Sequence, residues 1–342
     1  MPKHCRAKPQ PANPLNLEKI FSPVARQLES VQKSLTALGK GTSPVLKKVV
    51  RKVVIRQGKL IRPGIMLLIA SHYGHRGQRE VAVASALETI HLASLIHDDI
   101  IDGSTLRRGQ KTALTIFGLE FSLLLGDFLF LQSINSFLNL TDRIITKKLV
   151  EATRLMVEGE IEELANSFNL NLKESQYFRI IKKKTARLFQ TGCEIACLLS
   201  QAPEKEKKAL RKYGLNLGLV FQIVDDLLDL VGNPRETGKP RFSDLKEGRI
   251  TLPFILALKK ADPKTKKVFK QLLLRINNRK SPNQDNFLSL LKVMENTGSL
   301  QLSFKLAQEI ADRARSAVRQ LQPSPYRQSL LELVDFVLYR KK

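Results

Sequence analysis

The sequence predicts an all-α fold in a single domain, and three observations carry this prediction. Apolar residues recur every three to four positions over residues 15–31 and in most later segments, as they do on one face of a helix. No segment shows a convincing alternation of β-branched and polar residues, which is the pattern expected of a strand. Turn-forming residues cluster at 232–244 and 277–285 without a change in composition, so we interpret both segments as loops within one domain.

Capping and helix-breaking residues predict where individual helices begin and end. Ser43 and Pro44 suit the N-cap and first turn of a helix that is expected to end at Gly58. Pro63 is predicted to open the next helix. Further helices are expected over residues 80–102, 114–139, 144–166, 173–199, 206–231, 251–259, 264–276, 287–296 and 302–340.

The first residues of the chain differ from the rest. Residues 1–14 are basic, rich in proline and without a helical period, so we expect a loose tail there. A single domain is then expected over residues 15–342. Cys193 and Cys197 are four residues apart on a predicted helix, and we expect both to be small buried apolar side chains.

The 342-residue chain is strongly basic, with 57 Lys and Arg against 32 Asp and Glu and a net charge of +25. Such an excess favours polyanionic partners, namely nucleic acid, anionic lipid or phosphorylated metabolites. The three cysteines are too few for a disulfide framework and indicate a reducing compartment. No uninterrupted apolar run is long enough to span a membrane, and the N-terminus lacks the apolar stretch of a secretory signal. We therefore expect a cytoplasmic protein.

Two DDxxD motifs, each at the end of an apolar helical segment, are the clearest chemical signal. One such motif alone could be a solvated helix end, but two copies favour a metal site. Residues four apart share a helix face, so each motif can offer two carboxylates to one hard cation such as Mg²⁺. The motif residues are Asp98, Asp99 and Asp102 in the first copy and Asp225, Asp226 and Asp229 in the second.

Basic residues near these motifs favour phosphorylated substrates. Arginine pairs with phosphate through two parallel hydrogen bonds, and lysine acts as a point charge. Carboxylates that bind metal, together with separate cations, suggest two phosphorylated substrates, one held through Mg²⁺ and one held directly. The candidate cations are Lys59 and Arg62 in a tight turn, Arg107 and Arg108 after the first motif, Lys184 on a later helix, and Lys239 after the second motif.

The motifs together resemble those of the trans-isoprenyl diphosphate synthase family over about residues 45–255. The segments that carry the resemblance are QGKLIRP, HLASLIHDDIIDGSTLRRGQKT, LLLGDFLF, KKKTARLF, FQIVDDLLDL and TGKPRFSDLKEGRITLP. The resemblance implies a bundle of antiparallel helices around a deep central cavity, as in isoprenoid synthases. It also implies head-to-tail condensation of isopentenyl diphosphate with an allylic diphosphate.

The resemblance assigns a role to each matched residue. In the first motif, Asp98, Asp99 and Asp102 would bind Mg²⁺ and the allylic diphosphate. In the second motif, Asp225 would bridge a third metal ion with Asp229 in support, and Asp226 matches a catalytic position. Three Mg²⁺ ions per active site are implied, with Mn²⁺ able to replace them.

The basic residues divide between the two substrates. The positions that would hold isopentenyl diphosphate are Lys59, Arg62, His91 and Arg108, and those that would grip the allylic diphosphate are Arg107, Lys184, Gln222 and Lys239. Thr185 matches a hydroxyl near the reacting carbons. Leu60, Lys111 and Arg249 depart from the common residues of the family, but none of these departures removes a catalytic group.

The residues one turn before Asp98 bear on the length of the product. Ala93 and Ser94 are small, which predicts an open tunnel and a long-chain product of the kind used for quinone side chains. A large residue deeper in the tunnel could still stop the chain at farnesyl or geranylgeranyl length, which is the alternative. Candidates for that stop are Leu87, Ile90, Phe130 and Ile134.

Other functions fit the sequence less well. A terpene cyclase would share the fold and the first motif but would not need Lys59 and Arg62 for a second diphosphate. A basic nucleic-acid-binding helical protein would fit the charge but would leave both aspartate motifs unexplained, so we expect no nucleic acid. The resemblance implies a homodimer, and the basic N-terminal region suggests peripheral association with an anionic membrane.

Overall fold

The structure, a computed structural model, is almost entirely helical over the residues that it describes, which confirms the predicted all-α fold. The described residues are 16–54, 58–107, 109–141, 143–233, 241–277 and 284–341. The predicted tail over residues 1–14 and two predicted ligands, Arg108 and Lys239, lie outside them.

The described part of the first half of the chain contains helices and a short β-hairpin. They are α1 (Leu17–Ile20), α2 (Ala25–Thr36), α3 (Pro44–Val54), α4 (Ile61–His72), α5 (Gln78–Ile101), α6 (Ala113–Phe117), α7 (Leu119–Leu140) and α8 (Arg143–Ala165). The hairpin pairs β1 (Leu106–Arg107) antiparallel with β2 (Gln110–Lys111), so that Leu106 lies opposite Lys111.

The second half of the chain contains the longest helix and a π-helical turn, Lys182–Ala186. The helices are α9 (Glu174–Ile181), α10 (Arg187–Leu199), α11 (Glu204–Val231), α12 (Ser243–Lys246), α13 (Leu252–Lys260), α14 (Pro263–Asn277), α15 (Gln284–Asn296), α16 (Ser299–Val318) and α17 (Pro325–Tyr339).

Three predicted helices are interrupted in the structure. The prediction of one helix over 302–340 is wrong, because Pro325 starts a new helix that is capped by the Ser324 hydroxyl. The segment 114–139 is divided at Gly118, whose φ of 85° is left-handed and cannot continue a helix. The segment 15–31 is divided by a 3₁₀ turn, Ser22–Val24, because proline cannot supply a helical hydrogen bond.

Helices α5 and α11 bring the two aspartate motifs together. α11 packs against α10, α16 and α17, whereas α5 packs along α7 and against α4 and α2. The middle of α5 and the C-terminal part of α11 line one cavity. Arg249 connects the two motifs, because it pairs with Asp102 and with Asp244, whose backbone nitrogen donates to Asp229. Cys193 and Cys197 are buried in α10 as predicted, and this burial raises the pKa of both thiols.

Candidate active site

A large cavity with many cationic side chains, here called the basic cavity, lies between α4, α5, α11 and the end of α17. It encloses about 1380 Å³, including its open mouth. Its basic lining residues are Lys59, Arg62, His91, Arg107, Arg241 and Arg340. Two aspartates of the second motif, Asp225 and Asp229, line the same cavity. The structure therefore brings predicted anion-binding and metal-binding residues to one site.

The turn before α4 is held in an uncommon backbone conformation. Leu60 has φ 46° and ψ 38°, in the left-handed region that residues with a side chain rarely adopt. This conformation lies between Lys59 and Arg62, which both line the basic cavity. Residues in such conformations persist where the surrounding structure over-determines them, often at functional sites.

Three cations of the basic cavity lie over aromatic rings. A ring face attracts a cation through its quadrupole and leaves the other side of the cation accessible to an anion. The cation-to-centroid distances are 5.6 Å for Lys59 and Phe336, 4.5 Å for Arg62 and Phe189, and 3.9 Å for Arg340 and Phe221.

Arg340 was not predicted as a site residue. Its Nη2 donates to Asp225 Oδ1 at 2.9 Å and to the backbone oxygen of Phe221 at 2.8 Å. The side chain is only 5% exposed, although it belongs to the residue that follows the last helix. The basic C-terminal sequence was a signal for this position, but a solvated tail was equally consistent with it.

The three aspartates of the first motif have different surroundings. Asp99 is buried, and its Oδ1 accepts a hydrogen bond from Arg107 Nε at 2.8 Å. Asp102 caps the end of α5 and pairs with Arg249. Asp98 is partly buried, and its burial raises the pKa of the carboxyl group, an effect that Lys184 and Arg107 oppose.

Lys184 and Arg249 lie among carboxylates in what we call the acidic cluster. Lys184 Nζ is 2.6 Å from Glu160 Oε2 and 2.5 Å from Glu163 Oε2. Arg249 contacts Glu163 at 3.1 Å and also pairs with Asp102. The acidic members of the cluster are Asp98, Asp102, Glu160, Glu163, Asp244 and Glu247.

This cluster has more negative than positive charge. Burial alone would lower the pKa of Lys184, but Glu163 and Glu160 raise it above its ordinary value. Burial raises the pKa of Glu160, against the opposing effect of Lys184. Six carboxylates around two cations leave an excess of negative charge, which favours the binding of divalent cations.

The second motif presents one exposed and two more buried aspartates. Asp225 is 56% exposed and projects into the basic cavity. Asp229 accepts backbone hydrogen bonds from Ser243 at 3.0 Å and Asp244 at 3.3 Å. Asp226 is 2% exposed and accepts hydrogen bonds from protein groups at both oxygens, so its carboxylate is directed into the bundle.

The π-helical turn places Lys184 and Thr185 between α8 and α11. A Cβ at Gly159 of α8 would lie 2.6 Å from the backbone nitrogen of Lys184, and one at Gly218 of α11 would lie 2.5 Å from Ala186 Cα. Only glycine permits this approach from both sides. The two glycines within helical patterns were the sequence signal for a close backbone contact here.

A second, largely apolar cavity of about 840 Å³ lies between α5, α7 and α8. Asp98, Glu160 and Lys184 lie among its polar lining, and aliphatic and aromatic side chains form most of the rest. Of the two predicted chain-length residues, Ser94 lines this apolar cavity, whereas Ala93 is fully buried in the core. Phe130 also lines it, while Leu87 and Ile90 are fully buried.

The carboxylates suit a metal ion that takes part of its ligands from a substrate. Among the described residues, no group of three or more His, Cys, Asp or Glu side chains could hold a metal ion by itself. Mg²⁺ usually binds one or two carboxylates together with phosphate oxygens and water. Asp98 and Asp102 from α5, with Asp225 and Asp229 from α11, fit that role.

Most of the chain matches a known protein family. The sequence profile of the polyprenyl synthetase family matches residues 43–291. The chain is 32% identical to octaprenyl diphosphate synthase of Escherichia coli over 329 residues, covering 96% of this chain and all of the relative.

Solved structures of other proteins align with this chain over nearly its whole length. A polyprenyl synthase of Caulobacter crescentus, crystallised with calcium and isoprenyl diphosphate, aligns with a TM-score of 0.89 and 30% identity over 97% of this chain and 100% of that one. A decaprenyl diphosphate synthase of Rhodobacter capsulatus aligns with a TM-score of 0.88 and 31% identity, over 96% of this chain and 100% of that one. The chain belongs to the polyprenyl synthetase family.

Proposed function

We propose that this protein is a Mg²⁺-dependent trans-prenyltransferase that condenses isopentenyl diphosphate with an allylic diphosphate and releases a long-chain, all-trans polyprenyl diphosphate. The observation that carries the proposal is that the second aspartate motif lines a basic cavity through Asp225 and Asp229, whereas the first motif lines an apolar cavity through Asp98. One cavity suits a diphosphate and the other suits a growing hydrocarbon chain.

The metal requirement follows from the charge of the site. We assign Asp98, Asp102, Asp225 and Asp229 as the carboxylates that hold three Mg²⁺ ions together with the allylic diphosphate, and Mn²⁺ is expected to replace Mg²⁺. When bound, these ions supply positive charge that neutralises the departing diphosphate.

The side chains of the protein bind the substrates and exclude water. Lys59 and Arg62, supported by Phe336 and Phe189, hold isopentenyl diphosphate directly. Lys184 contributes positive charge to the allylic diphosphate. The apolar cavity keeps water from the allylic cation, and the released diphosphate accepts the proton that is lost from the adduct.

The apolar cavity supports a long product. Ser94 presents a small side chain to the cavity near Asp98, so no bulky group blocks the chain at its first turn. Phe130 lines the same cavity from α7 and is the bulky side chain that we expect to limit product length. Ile134, one turn further along α7, does not line it and provides a matched control.

Product analysis tests the proposal. Purified protein, Mg²⁺, labelled isopentenyl diphosphate and farnesyl diphosphate should give a ladder of prenols longer than geranylgeraniol after dephosphorylation. Phe130→Ala should lengthen the products, whereas Ile134→Ala should leave the distribution unchanged. A geranylgeranyl end-point would favour the short-chain alternative, and no condensation with any allylic primer would contradict the proposal.

We further propose a homodimer through α7 and α8. α7 is long and apolar enough to span a membrane by length and composition, yet only 33% of its apolar stretch is buried within the chain. The exposed apolar side chains of both helices form one large set: Leu119, Leu123, Leu124, Leu131, Leu138, Ile144, Val150, Val157, Ile161 and Leu164. Four of them, Leu123, Val157, Ile161 and Leu164, also line the apolar cavity, so a second copy would close its outer wall.

Sedimentation tests the dimer. Leu124 is 67% exposed on α7 and does not line the apolar cavity, so Leu124→Lys should yield monomers by analytical ultracentrifugation. Leu288→Lys, at a residue 56% exposed on α15, should leave the dimer intact. A monomeric wild-type protein, or a dimer that survives Leu124→Lys, would contradict the proposed interface.

We propose a cytoplasmic enzyme that associates peripherally with anionic membranes through residues 1–14. A long polyprenyl product is soluble in membranes, and a basic segment is attracted to anionic lipid. In flotation assays, the full chain should bind vesicles that contain phosphatidylserine better than neutral vesicles. A chain that lacks residues 1–14 should lose this preference, and equal flotation in all cases would contradict the proposal.

A further inference from the structure

A chain of three hydrogen bonds connects a buried tyrosine to Thr185 on the π-helical turn. Tyr177 Oη donates to Asp226 Oδ2 at 2.5 Å, and Gln222 Nε2 donates to Asp226 Oδ1 at 2.9 Å. Thr185 Oγ1 donates to Gln222 Oε1 at 2.7 Å. Tyr177, Asp226 and Thr185 are 3%, 2% and 8% exposed, so water does not compete freely for these bonds.

The carboxylate of Asp226 fixes the direction of every bond in this chain. Burial raises the pKa of Asp226, and the hydrogen bonds from Tyr177 and Gln222 oppose this rise. When Asp226 is ionised, both of its oxygens accept, so Gln222 turns its NH₂ group toward Asp226 and its carbonyl oxygen toward Thr185. The carbonyl oxygen can only accept, so the hydroxyl proton of Thr185 must be directed at Gln222. The lone pairs of Thr185 Oγ1 are then directed away from Gln222.

This arrangement also explains why Asp226 differs from its neighbours in the second motif. Asp225 is exposed to the basic cavity, whereas both oxygens of Asp226 are used within the bundle. A carboxylate that is buried with two donors orients those donors well, since leaving either one unpaired would cost desolvation energy.

We propose that Tyr177 and Asp226 are positioning residues that act through Gln222 to hold the Thr185 hydroxyl with its lone pairs toward the reacting carbons. The inference rests on the proposed function and on the match of Thr185 to the family hydroxyl that lies near the reacting carbons. Lone pairs stabilise the positive charge that develops there, whereas a reversed hydroxyl would place its proton against that charge. Neither positioning residue needs to touch the substrate.

A matched pair of tyrosine variants tests the inference. Tyr177→Phe removes only the hydroxyl that donates to Asp226. Tyr213→Phe is the control, because Tyr213 is also fully buried and donates one hydrogen bond, to the Leu330 backbone oxygen at 3.0 Å. Tyr177→Phe should lower kcat about tenfold with the allylic KM within about twofold, whereas Tyr213→Phe should leave kcat unchanged.

Two further readouts separate positioning from a general loss of structure. Both tyrosine variants should lower the thermal unfolding temperature similarly. Both should also bind an unreactive allylic thiodiphosphate, with Mg²⁺, as tightly as the wild type by calorimetry. If Tyr177→Phe unfolds at a much lower temperature than Tyr213→Phe, then Asp226→Asn, which preserves side-chain size, should reproduce the fall in kcat.

A double-mutant cycle gives the decisive result. Thr185→Val removes the hydroxyl, so adding Tyr177→Phe to it should lower kcat no further, whereas Thr185→Ser should remain sensitive to Tyr177→Phe. Equal kcat for Tyr177→Phe and Tyr213→Phe, or an additive loss in the cycle, would overturn the inference while leaving the prenyltransferase function in place. An inactive wild-type protein would overturn both.

Discussion

The basic cavity and the acidic cluster both contain cations, but the surroundings of those cations differ. In the basic cavity, Lys59 and Arg62 lie against aromatic faces, and Arg340 lies over the Phe221 ring but also pairs with Asp225. In the acidic cluster, Lys184 and Arg249 each contact two or more carboxylates. An aromatic ring supports a cation without neutralising it, whereas a carboxylate cancels its charge.

The difference suggests how the proposed site keeps two diphosphates at separate positions, one bound directly by cations and one bound through metal ions. A diphosphate that approaches the aromatic-supported cations can bind directly, but one that approaches the acidic cluster meets excess negative charge. It can bind there only with metal ions that offset this charge. Each of the following predictions alters one side of this comparison.

Removal of a carboxylate that is proposed to bind metal should have the largest effect. Asp98→Ala and Asp225→Ala should each lower turnover about 10²–10³-fold, because charge on the departing diphosphate is no longer offset. Steady-state assays should show the loss, and circular dichroism should show unchanged helix content. Asp312→Ala, at a side chain 66% exposed, should have no effect. Full activity of either site variant would contradict its assigned role.

Removal of one cation from each region should change the KM of a different substrate. Arg62→Ala should raise the KM for isopentenyl diphosphate about 10–100-fold, since a charged hydrogen bond is lost, and Lys184→Ala should act on the allylic substrate instead. Initial rates with each substrate varied in turn provide the measurement. Lys305→Ala, at an exposed residue of α16, is the control. Equal changes in both KM values for both variants would show that the regions are not specialised.

A charge change inside the acidic cluster should have a smaller effect. Glu163→Gln should raise the Mg²⁺ concentration for half-maximal activity about fourfold. In water, a unit negative charge attracts a divalent ion roughly 10 Å away by about 1 kcal/mol, and the substitution removes this attraction. Glu309→Gln, at an exposed residue, should leave this concentration unchanged. An unchanged metal requirement in Glu163→Gln would mean that the excess charge of the cluster does not recruit metal.

The smallest effect should be on how the unfolding temperature depends on pH when no metal is bound. Burial raises the pKa of Asp98 in the folded state, so its contribution to stability is present at low pH and is lost as pH rises through that raised pKa. Asp98→Asn should therefore unfold about 1–3 °C above the wild type at pH 7.5 in EDTA. The gap should close toward pH 4, near the ordinary carboxyl pKa of about 4. A difference in unfolding temperature that widens as pH falls would contradict this prediction.

Much of the site was predictable because local spacing places its residues. The i, i+4 spacing in DDxxD puts Asp98 and Asp102 on one helix face, and Lys59 and Arg62 flank a turn that the Gly58 and Pro63 positions predict. The break of the last predicted helix was missed because Pro325 starts a helix as readily as it interrupts one. The single-domain boundaries and the assigned roles of Arg108 and Lys239 stay predictions.

Residues that enter the site from distant parts of the chain could not be found in this way. Arg249 reaches Asp102, which is 147 positions away, and Arg340 reaches Asp225, which is 115 positions away. No periodicity or local motif connects such pairs, because their approach depends on how whole helices pack. Asp226 illustrates the same limit, since its place in DDxxD resembles that of a metal ligand while its burial directs it toward Tyr177.

The sequence by itself determined the all-α class, the two aspartate motifs and most of the cations, because each of these depends on residue type and on spacing within a few turns of helix. Only the tertiary structure decided which carboxylates face the cavities, which cations lie on aromatic rings and which are surrounded by carboxylates. Those outcomes depend on the packing of α5, α8, α11 and α17 around shared cavities, and packing is a property of the whole chain.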